Sequence, residues 1–541
     1  MAIIHNHDKR LGITYVYNST AYWDKEKKQS RAKRTLIGKL DPVTNEVVPT
    51  DGRGRAKTKN VSRTDPNKTE STEQPLPLPV TKRSFFGATH LLDVIGEKIG
   101  IKEDLQNCFP KTWQQILSIV YYSILEDKSP LYRFEKWHHL HQHPYGQNIT
   151  SQRSSELFSS ITENQKQMFF KRQGERRLEK EYWAYDITTI SSYSQTLSQV
   201  QYGHNKEEDT LPQLNLALVF GETSKLPFYY RKLAGNTPDV KTVQHLLTSL
   251  DDLGFSKTKM VMDRGFNSDK NIADLYKKGV KFLIGGKMSR SFMKDNLDTI
   301  YDNFKRFDSF NEDFALYHQT VRTTFAQSKA PTQKKHKIYI HYYFNIDQAA
   351  EDEKALDLKI ARLRNDLLNN TRNDADLKLY DKYFTVKKTP KRGICVTVNN
   401  EAVQNAKRYN GFFALLTNEK MDAIQALRIY RQKDVVEKAF GNLKERLNMR
   451  RMLVSSEQSL DGKLFVQFVA LIYLSYLQKE MQKTELFKKY TMQEMLDKLD
   501  LIECFQLNGQ KPFIGEIMEK QKEILKILDC PLPTSLCVPG I

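Results

Sequence analysis

The segment EYWAYDITTI (residues 181–190) has the aromatic and β-branched composition of a strand and carries a carboxylate, Asp186, at its centre. Two more strand-like segments follow it, QLNLALVFG (213–221) and PFYYRKL (227–233), with the lengths expected of a meander. The next segment, GNTPDVKTVQHLLTSLDDLG, has a proline near its start and a glycine at its end, which is typical of a helix. This part of the chain therefore predicts three consecutive strands and a helix.

Strands and helices alternate in the following part of the chain. KTKMVMDRG (257–265) is typical of a buried strand and includes Asp263 near its end, NIADLYKKG is helical, and VKFLIGGK (280–287) predicts a fifth strand. The first three strands indicate an antiparallel meander, and the later helical crossovers indicate parallel neighbours. This order matches a ribonuclease H-like fold. We predict the α/β class, with a mixed five-stranded sheet and flanking helices.

The segment YRQKDVVEKAFGNLK (430–444) predicts a helix after an interruption of this core. On an ideal helix, the polar side chains beside its apolar stripe fall within an arc of about 60°. These side chains are Tyr430, Lys433, Glu437 and Lys444. They fit either a set of i,i+3 and i,i+4 ion pairs or one catalytic acid among phosphate-binding groups. The helix alone does not decide between the two.

The composition restricts the class of protein. The chain has 541 residues, enough for several domains, and its 84 basic against 65 acidic residues leave a formal net charge of +19. Such a charge favours a polyanionic partner such as nucleic acid over a merely solvated basic surface. The five cysteines form no CxxC pair, the start of the chain has no signal-peptide pattern, and the apolar run 464–477 is too short to span a membrane. We expect a cytoplasmic protein without a membrane partner.

Three acids stand at mechanistically apt positions: Asp186 in the first strand, Asp263 at the end of the fourth, and Glu437 on the later helix. Taken singly, an Asp at a strand end is usually a turn or cap residue, and a Glu on a helix is usually a surface residue. Taken together on a basic chain, carboxylates from two adjacent strands and a packed helix provide the ligands of two Mg²⁺ ions for phosphodiester cleavage.

These residues carry a resemblance to a known family. The chain resembles the DDE transposases of bacterial insertion sequences, in the group with a Tyr-Arg-Glu-Lys (YREK) signature. Tyr430, Lys433, Glu437 and Lys444 keep the spacing of that signature, with Lys433 in place of its Arg. YDITTISSYS, GNTPD and MDRGF also resemble blocks of the family, as does the opening hairpin.

The resemblance implies a function and a site. Asp186, Asp263 and Glu437 are implied as catalytic ligands of two Mg²⁺ ions, for which Mn²⁺ substitutes, and Tyr430, Lys433 and Lys444 as contacts to DNA near the cleaved end. Arg431 lies close to Lys433 in the chain, and Arg264 either touches DNA or pairs with an acid. Further basic residues continue the DNA-binding track past the helix end: Arg446, Arg450 and Arg451.

The expected partners and place of action follow from the same resemblance. The expected partner is double-stranded DNA, both the terminal inverted repeats of the element and its target, bound by a homodimer that associates with the bacterial nucleoid. The sequence does not distinguish a cut-and-paste route from a copying route.

We divide the chain by composition and pattern. Residues 13–40 alternate around a polar turn, and the following residues are basic and rich in proline. The predicted segments are an N-terminal β-hairpin (1–40), a basic linker (41–82), a helical DNA-binding domain (83–178), the first part of the catalytic core (179–287), a β-rich insertion (288–410), the second part of the core with the Glu helix (411–455) and a helical C-terminal domain (456–541). Within the insertion, residues 347–370 predict a charged helix.

Two alternative functions remain open at this point. One is a metal-dependent DNA nuclease without strand transfer, and the other is a non-enzymatic DNA-binding regulator derived from a transposase. A DNA-hairpin intermediate would need an aromatic side chain to stack on a flipped base, and strand packing is the favoured role of the available candidates in the insertion. These candidates are Tyr339, Tyr342, Tyr343 and Phe344.

Overall fold

The chain forms two compact units, Met1–Leu78 and Pro79–Ile541. The computed structural model describes residues 2–8, 12–24, 29–41, 46–48, 81–177, 181–194, 197–203, 210–255, 257–326, 335–389, 393–449, 451–452, 456–507 and 511–533. Most of the predicted linker 41–82, and Arg450 with it, lies outside the described residues.

The first unit is an antiparallel sheet of the strands β1 (Ala2–Asp8), β2 (Ile13–Asp24), β3 (Gln29–Leu40) and β4 (Val47–Val48), in that order. The predicted hairpin is confirmed, because β2 pairs with β3 from Thr14↔Leu40 to Asp24↔Gln29. β1 and β4 extend it on either side.

The second unit combines one large sheet with two groups of helices. Its strands are β5 (Thr81–Phe85), β6 (Trp183–Ser192), β7 (Gln213–Gly221), β8 (Pro227–Ala234), β9 (Lys259–Met262), β10 (Lys281–Gly285), β11 (Phe310–Asn311), β12 (Leu316–Phe325), β13 (His336–Asn345), β14 (Phe384–Thr389), β15 (Gly393–Val398), β16 (Phe412–Thr417), β17 (Arg451–Met452), β18 (Glu503–Leu507) and β19 (Phe513–Ile514). Its helices are α1 (Gly87–Lys98), α2 (Ile101–Cys108), α3 (Trp113–Leu125), α4 (Phe134–Leu140), α5 (Ser151–Ser160), α6 (Glu163–Glu175), α7 (Asp239–Asp252), α8 (Asp269–Lys277), α9 (Ser291–Asp298), α10 (Ile346–Leu368), α11 (Leu377–Tyr383), α12 (Asn400–Lys407), α13 (Ala423–Gln432), α14 (Asp434–Gly441), α15 (Glu457–Lys483), α16 (Met492–Asp500) and α17 (Glu519–Ile527).

The large sheet follows the predicted strand directions at its centre. β6, β7 and β8 are antiparallel neighbours, and β9 is parallel to both β6 and β10. All nine residues of β7 are buried, as expected for a strand covered on both faces. These pairings confirm the predicted meander and the predicted parallel crossovers.

The predicted width of the sheet is wrong. Within the described residues the sheet has ten strands, in the order β11-β12-β13-β16-β10-β9-β6-β7-β8, with β17 also paired to β6. The reason is that β16 pairs with β10 on one side and with β13 on the other, so the hydrogen-bond ladder continues from the core into the insertion.

The predicted β-rich insertion is also wrong in part. β11, β12 and β13 belong to the large sheet, whereas α10, α11, α12 and the hairpin β14–β15 form a mixed group. This group has its own small core, which includes Leu363, Leu367, Tyr380 and Tyr383. The charged helical run predicted at 347–370 is confirmed, because α10 has 23 residues in this part of the chain.

The aromatic candidates for base stacking are in the large sheet. Tyr342 and Tyr343 on β13 are fully buried, and their hydroxyls donate to the backbone carbonyls of Met293 and Ala423. Tyr339 and Phe344 on the same strand are buried as well. Strand packing is therefore their role here, as the sequence favoured.

The two helical segments of the chain pack against each other. α15 contacts α3 and α5, and β5 pairs antiparallel with β18. By length and composition α15 could cross a membrane, but 78% of its most apolar window is buried inside the protein, which is typical of a core helix. The predicted buried helix is thus confirmed. The predicted domain boundaries stay predictions.

Candidate active site

Three acidic side chains from separate parts of the chain line one open cavity of about 430 Å³. Asp186 comes from β6, Asp263 directly follows β9, and Glu437 comes from α14. β6 and β9 are parallel neighbours with Tyr185 opposite Met262, so the residues that follow, Asp186 and Asp263, lie side by side at the end of β9. α14 packs across β6 and β7 and brings Glu437 to them. The structure therefore unites the three predicted acids.

Asp263 is held by two residues of the predicted signature. The Tyr430 hydroxyl donates a hydrogen bond of 2.6 Å to its Oδ1, and the Lys433 ammonium lies 3.9 Å from the same oxygen. Burial alone would raise the pKa of Asp263, but the hydrogen bond from Tyr430 and the charge of Lys433 outweigh it and lower the pKa. Burial and the hydrogen bond to Asp263 raise the pKa of Tyr430 well above its ordinary value. Asp263 is therefore a carboxylate and Tyr430 a neutral donor at neutral pH.

Lys433 also reaches Glu437, with 3.6 Å between its Nζ and Oε1 of the glutamate. The Lys433 side chain is only 13% exposed, whereas that of Glu437 is 62% exposed. The amine thus lies between two of the three acids, and Glu437 stays open to solvent. On the third acid, Oδ1 of Asp186 accepts the backbone N–H of Ile187 at 2.8 Å.

The predicted continuous helix over 430–444 is broken in two places. α13 ends at Gln432, Lys433 caps the next helix, and α14 ends at Gly441. A π-helical turn then covers Asn442–Arg446, in which the N–H of Leu447 donates to the carbonyl of Asn442. Such turns are often found at functional sites. Lys444 lies on this turn and lines the cavity together with Glu437.

Residues 177–473 match the sequence profile of a family described as the transposase DDE domain. The chain belongs to this family of transposases. The matched span is more than half of the chain and includes all three acids that line the cavity. DDE domains usually use divalent metal ions.

A piggyBac transposase, solved as a synaptic complex with hairpin DNA, is similar in structure to this chain over 65% of its length, at 11% sequence identity and a TM-score of 0.33. The present chain spans 57% of the length of that protein. No curated protein matches the sequence.

The three acids of the cavity fit a divalent cation in their chemistry. Asp186, Asp263 and Glu437 offer the hard oxygen donors that Mg²⁺ and Mn²⁺ prefer, and all three face one cavity. Among the described residues no three His, Cys, Asp or Glu side chains stand close enough together to hold an ion. The Lys433 amine lies between Asp263 and Glu437, so a cation bound by these two acids would lie close to its positive charge.

Supporting residues that the sequence did not single out surround Asp263. A Cβ added to Gly285 would lie 2.8 Å from the Tyr430 hydroxyl and 2.7 Å from the Arg264 nitrogen, so only glycine leaves room for this approach. Asn267 donates to the carbonyl of Gly285 at 2.8 Å. Asp239, at the start of α7, also lines the cavity. Asp239 is the last residue of the GNTPD block. That block leads from β8 into α7, and this position between a strand and a helix could have indicated Asp239 from the sequence.

The arginines of the predicted DNA-binding track lie in different surroundings in the structure. Arg264 is exposed next to Asp263. Arg431 packs on the Phe314 ring, 4.7 Å from its centroid, and does not line the cavity of the acids. Arg446 is half-buried and donates to Oε1 of Gln493 at 2.7 Å. The backbone of Arg451 is in β17, and the side chains of Arg450 and Arg451 lie outside the described residues.

Proposed function

We propose that this chain is the transposase of a bacterial insertion sequence, in the group with the YREK signature. It binds the terminal inverted repeats of its element, cleaves at the element ends and joins the 3′-OH ends to target DNA. The observation that carries the proposal is that Asp186, Asp263 and Glu437 line a single cavity with Lys444, within the span that matches the DDE domain.

The catalytic core is proposed to be ribonuclease H-like. Three antiparallel strands, β8, β7 and β6, are followed across the sheet by the parallel strands β9 and β10, which supports this reading. Asp186 on β6 and Asp263 after the parallel neighbour β9 lie side by side, which suits the paired carboxylates of such a core.

The three acids are proposed to hold two Mg²⁺ ions, for which Mn²⁺ substitutes. When bound, the ions supply an activated oxygen nucleophile and charge stabilisation for the leaving oxygen. Glu437 is open to solvent and is suited to accept an ion as DNA arrives. Tyr430 orients Asp263 by its hydrogen bond and keeps that carboxylate ionised.

The DNA is proposed to enter beside Lys444, the basic residue in the described lining of the cavity. Lys444 and Lys433 would contact phosphates beside the cleaved bond, and Arg264 is exposed on the same loop as Asp263. Lys433 keeps the charge of the signature Arg without its two-pronged geometry. The proposed assembly is a homodimer on DNA, acting on the bacterial nucleoid in the cytoplasm, since joining two ends needs two active sites.

A cleavage and joining assay tests this function. Purified protein is given duplexes that carry candidate terminal repeats from the flanks of its gene, with Mg²⁺ or Mn²⁺. Repeat-specific nicking and joining is expected from the parent, and none from Glu437→Gln or without metal. Glu445→Gln, an exposed acid on the π-helical turn outside the cavity lining, serves as the matched control and should keep both activities.

The same assay separates the alternative functions. Cleavage without joining would favour the metal-dependent nuclease. Tight, metal-indifferent binding without any cut would overturn the enzyme and leave a DNA-binding regulator.

A further inference from the structure

A second cavity opens beside α13 and α14, on a different face of these helices from the cavity of the three acids. It measures about 160 Å³ and is bordered by α13 and α14, the C-terminal half of α15 and the turn between β7 and β8. It shares no lining residue with the cavity of the three acids. On α14 the acid cavity is lined by Glu437, Phe440 and Gly441, whereas the second cavity is lined by Asp434, Val435, Lys438 and Ala439. The mean directions of the two sets are about 140° apart around the helix.

The lining of this second cavity is strongly cationic. It includes four basic side chains and one acidic side chain, Asp434. The basic residues are Lys225, Arg431, Lys438 and Lys479. Across the described part of the chain, none of these four takes part in an ion pair. Cations gathered around one small opening repel each other and attract a counter-ion, so the lining is suited to an anion.

A buried hydroxyl in the wall of the cavity gives a second, independent indication. Ser475 on α15 is 5% exposed, and its Oγ has no hydrogen-bond partner among the described residues. Buried hydroxyls in native proteins nearly always have a partner, so an unpartnered one indicates a missing hydrogen-bonding group. A phosphate oxygen at the cavity would satisfy it.

We propose that this cavity is a second phosphate-binding site of the transposase, which takes a backbone phosphate of the bound DNA on a different face of the helix from the cleaved bond. The proposal rests on the proposed function, because the phosphate is assigned to DNA. In this proposal Arg431 binds a phosphate in the second cavity, whereas Lys433 occupies the position of the signature arginine beside the acids. The same chemistry would accept a free phosphate ion, so the test distinguishes the two sources.

The experiment measures the salt dependence of DNA binding by fluorescence anisotropy, in EDTA so that no cleavage occurs. The slope of log K against log salt concentration should fall by about 1 for each DNA phosphate that the protein no longer neutralises. We expect this fall in Lys438→Gln/Lys479→Gln and in Arg431→Gln, and tighter binding in Asp434→Asn. The control Lys520→Gln/Lys526→Gln removes two exposed charges from α17 and should keep the parent slope.

Each outcome decides the proposal. A parent-like slope in Lys438→Gln/Lys479→Gln and in Arg431→Gln, with both variants folded, would overturn the second site. The proposed function would not be affected, because the cleavage assay with Glu437→Gln tests it separately. If the parent binds no DNA, the proposed function fails and DNA is overturned as the ligand. Inorganic phosphate that raises the Tm of the parent, but not of Lys438→Gln/Lys479→Gln, would then show a site for free phosphate instead. The absence of that rise would remove the site altogether.

Discussion

The phenolic hydroxyl of Tyr430 donates a hydrogen bond of 2.6 Å to Oδ1 of Asp263, although the two residues are 167 positions apart in the chain. Tyr430 is in the last turn of α13, and Asp263 directly follows β9. The bond therefore ties the helix that leads to Glu437 to the strand that carries a second acid. Three of the four positions of the predicted signature meet here, since Lys433 lies within 3.9 Å of Asp263 and 3.6 Å of Glu437.

Tyr430→Phe removes this hydrogen bond and should lower the free energy of unfolding by about 1 kcal/mol at pH 7. The folded pKa of Asp263 lies below the ordinary 3.8, so the ionised form is favoured by folding. Its contribution is present above the unfolded pKa and is lost as the pH falls through the folded pKa. The difference between parent and variant should therefore shrink below about pH 4. Urea unfolding at several pH values measures it.

Tyr276→Phe is the matched control for this pH dependence. The Tyr276 hydroxyl donates to the backbone carbonyl of Lys337 at 2.7 Å, and no carboxylate takes part in that bond. Its cost should stay constant with pH. A Tyr430→Phe cost that also stays constant would contradict the coupling to Asp263.

Gly285→Ala should destabilise the protein by about 1–3 kcal/mol, because the new Cβ would overlap both the Tyr430 hydroxyl and the backbone of Arg264. Part of this cost should vanish in the Tyr430→Phe background, where the hydroxyl is gone. A double-mutant cycle of unfolding free energies measures the difference. Gly441→Ala, where an added Cβ meets nothing within 4 Å, is the control and should be neutral or stabilising. Strict additivity of the two changes would show that Tyr430 does not contact Gly285.

The grouping of Asp186, Asp263 and Glu437 could be predicted because strand order decides which strands are neighbours. A helical crossover predicts a parallel neighbour in the same sheet, and the match to the order of a ribonuclease H-like fold put the fourth strand beside the first. The width of the sheet could not be predicted. Nothing in HKIYIHYYFN specifies that β13 pairs with β16, which lies about seventy residues later in the chain.

The breaks in the helical segment 430–444 could not be predicted from the sequence either. No proline occurs between Tyr430 and Lys444, so local propensity favours one continuous helix. Tertiary contacts override that propensity: Tyr430 and Lys433 are drawn to Asp263, and Arg446 is drawn to Gln493 on α16. Asp263 and Gln493 are both remote from this segment in the sequence, so no local pattern could predict these contacts.

Lys433→Met should strengthen the binding of Mn²⁺ to the DNA-free protein by about fivefold to tenfold, because it removes a positive charge from between two carboxylates. End cleavage should fall, since the substitution also removes a cation from the proposed DNA surface. Lys433→Arg keeps the charge and should keep the parent Mn²⁺ affinity. Isothermal titration calorimetry with Mn²⁺ measures the affinities, with Glu437→Gln as the variant that should bind more weakly than the parent. An unchanged affinity in Lys433→Met would place the bound ion away from Lys433.

Arg446→Leu should destabilise the protein by about 1–2 kcal/mol and leave the salt dependence of DNA binding unchanged, because the guanidinium donates inward to Gln493. Gln493 in turn donates to the carbonyl of Leu125 at 3.2 Å, so the pair connects the π-helical turn to α3 and α16. A double-mutant cycle with Gln493→Leu should give a coupling energy of about 1 kcal/mol. Lys444→Gln, two residues earlier and in the cavity lining, should instead lower the salt slope by about 1. A lowered slope in Arg446→Leu at unchanged stability would return Arg446 to the DNA-binding surface that the sequence predicted.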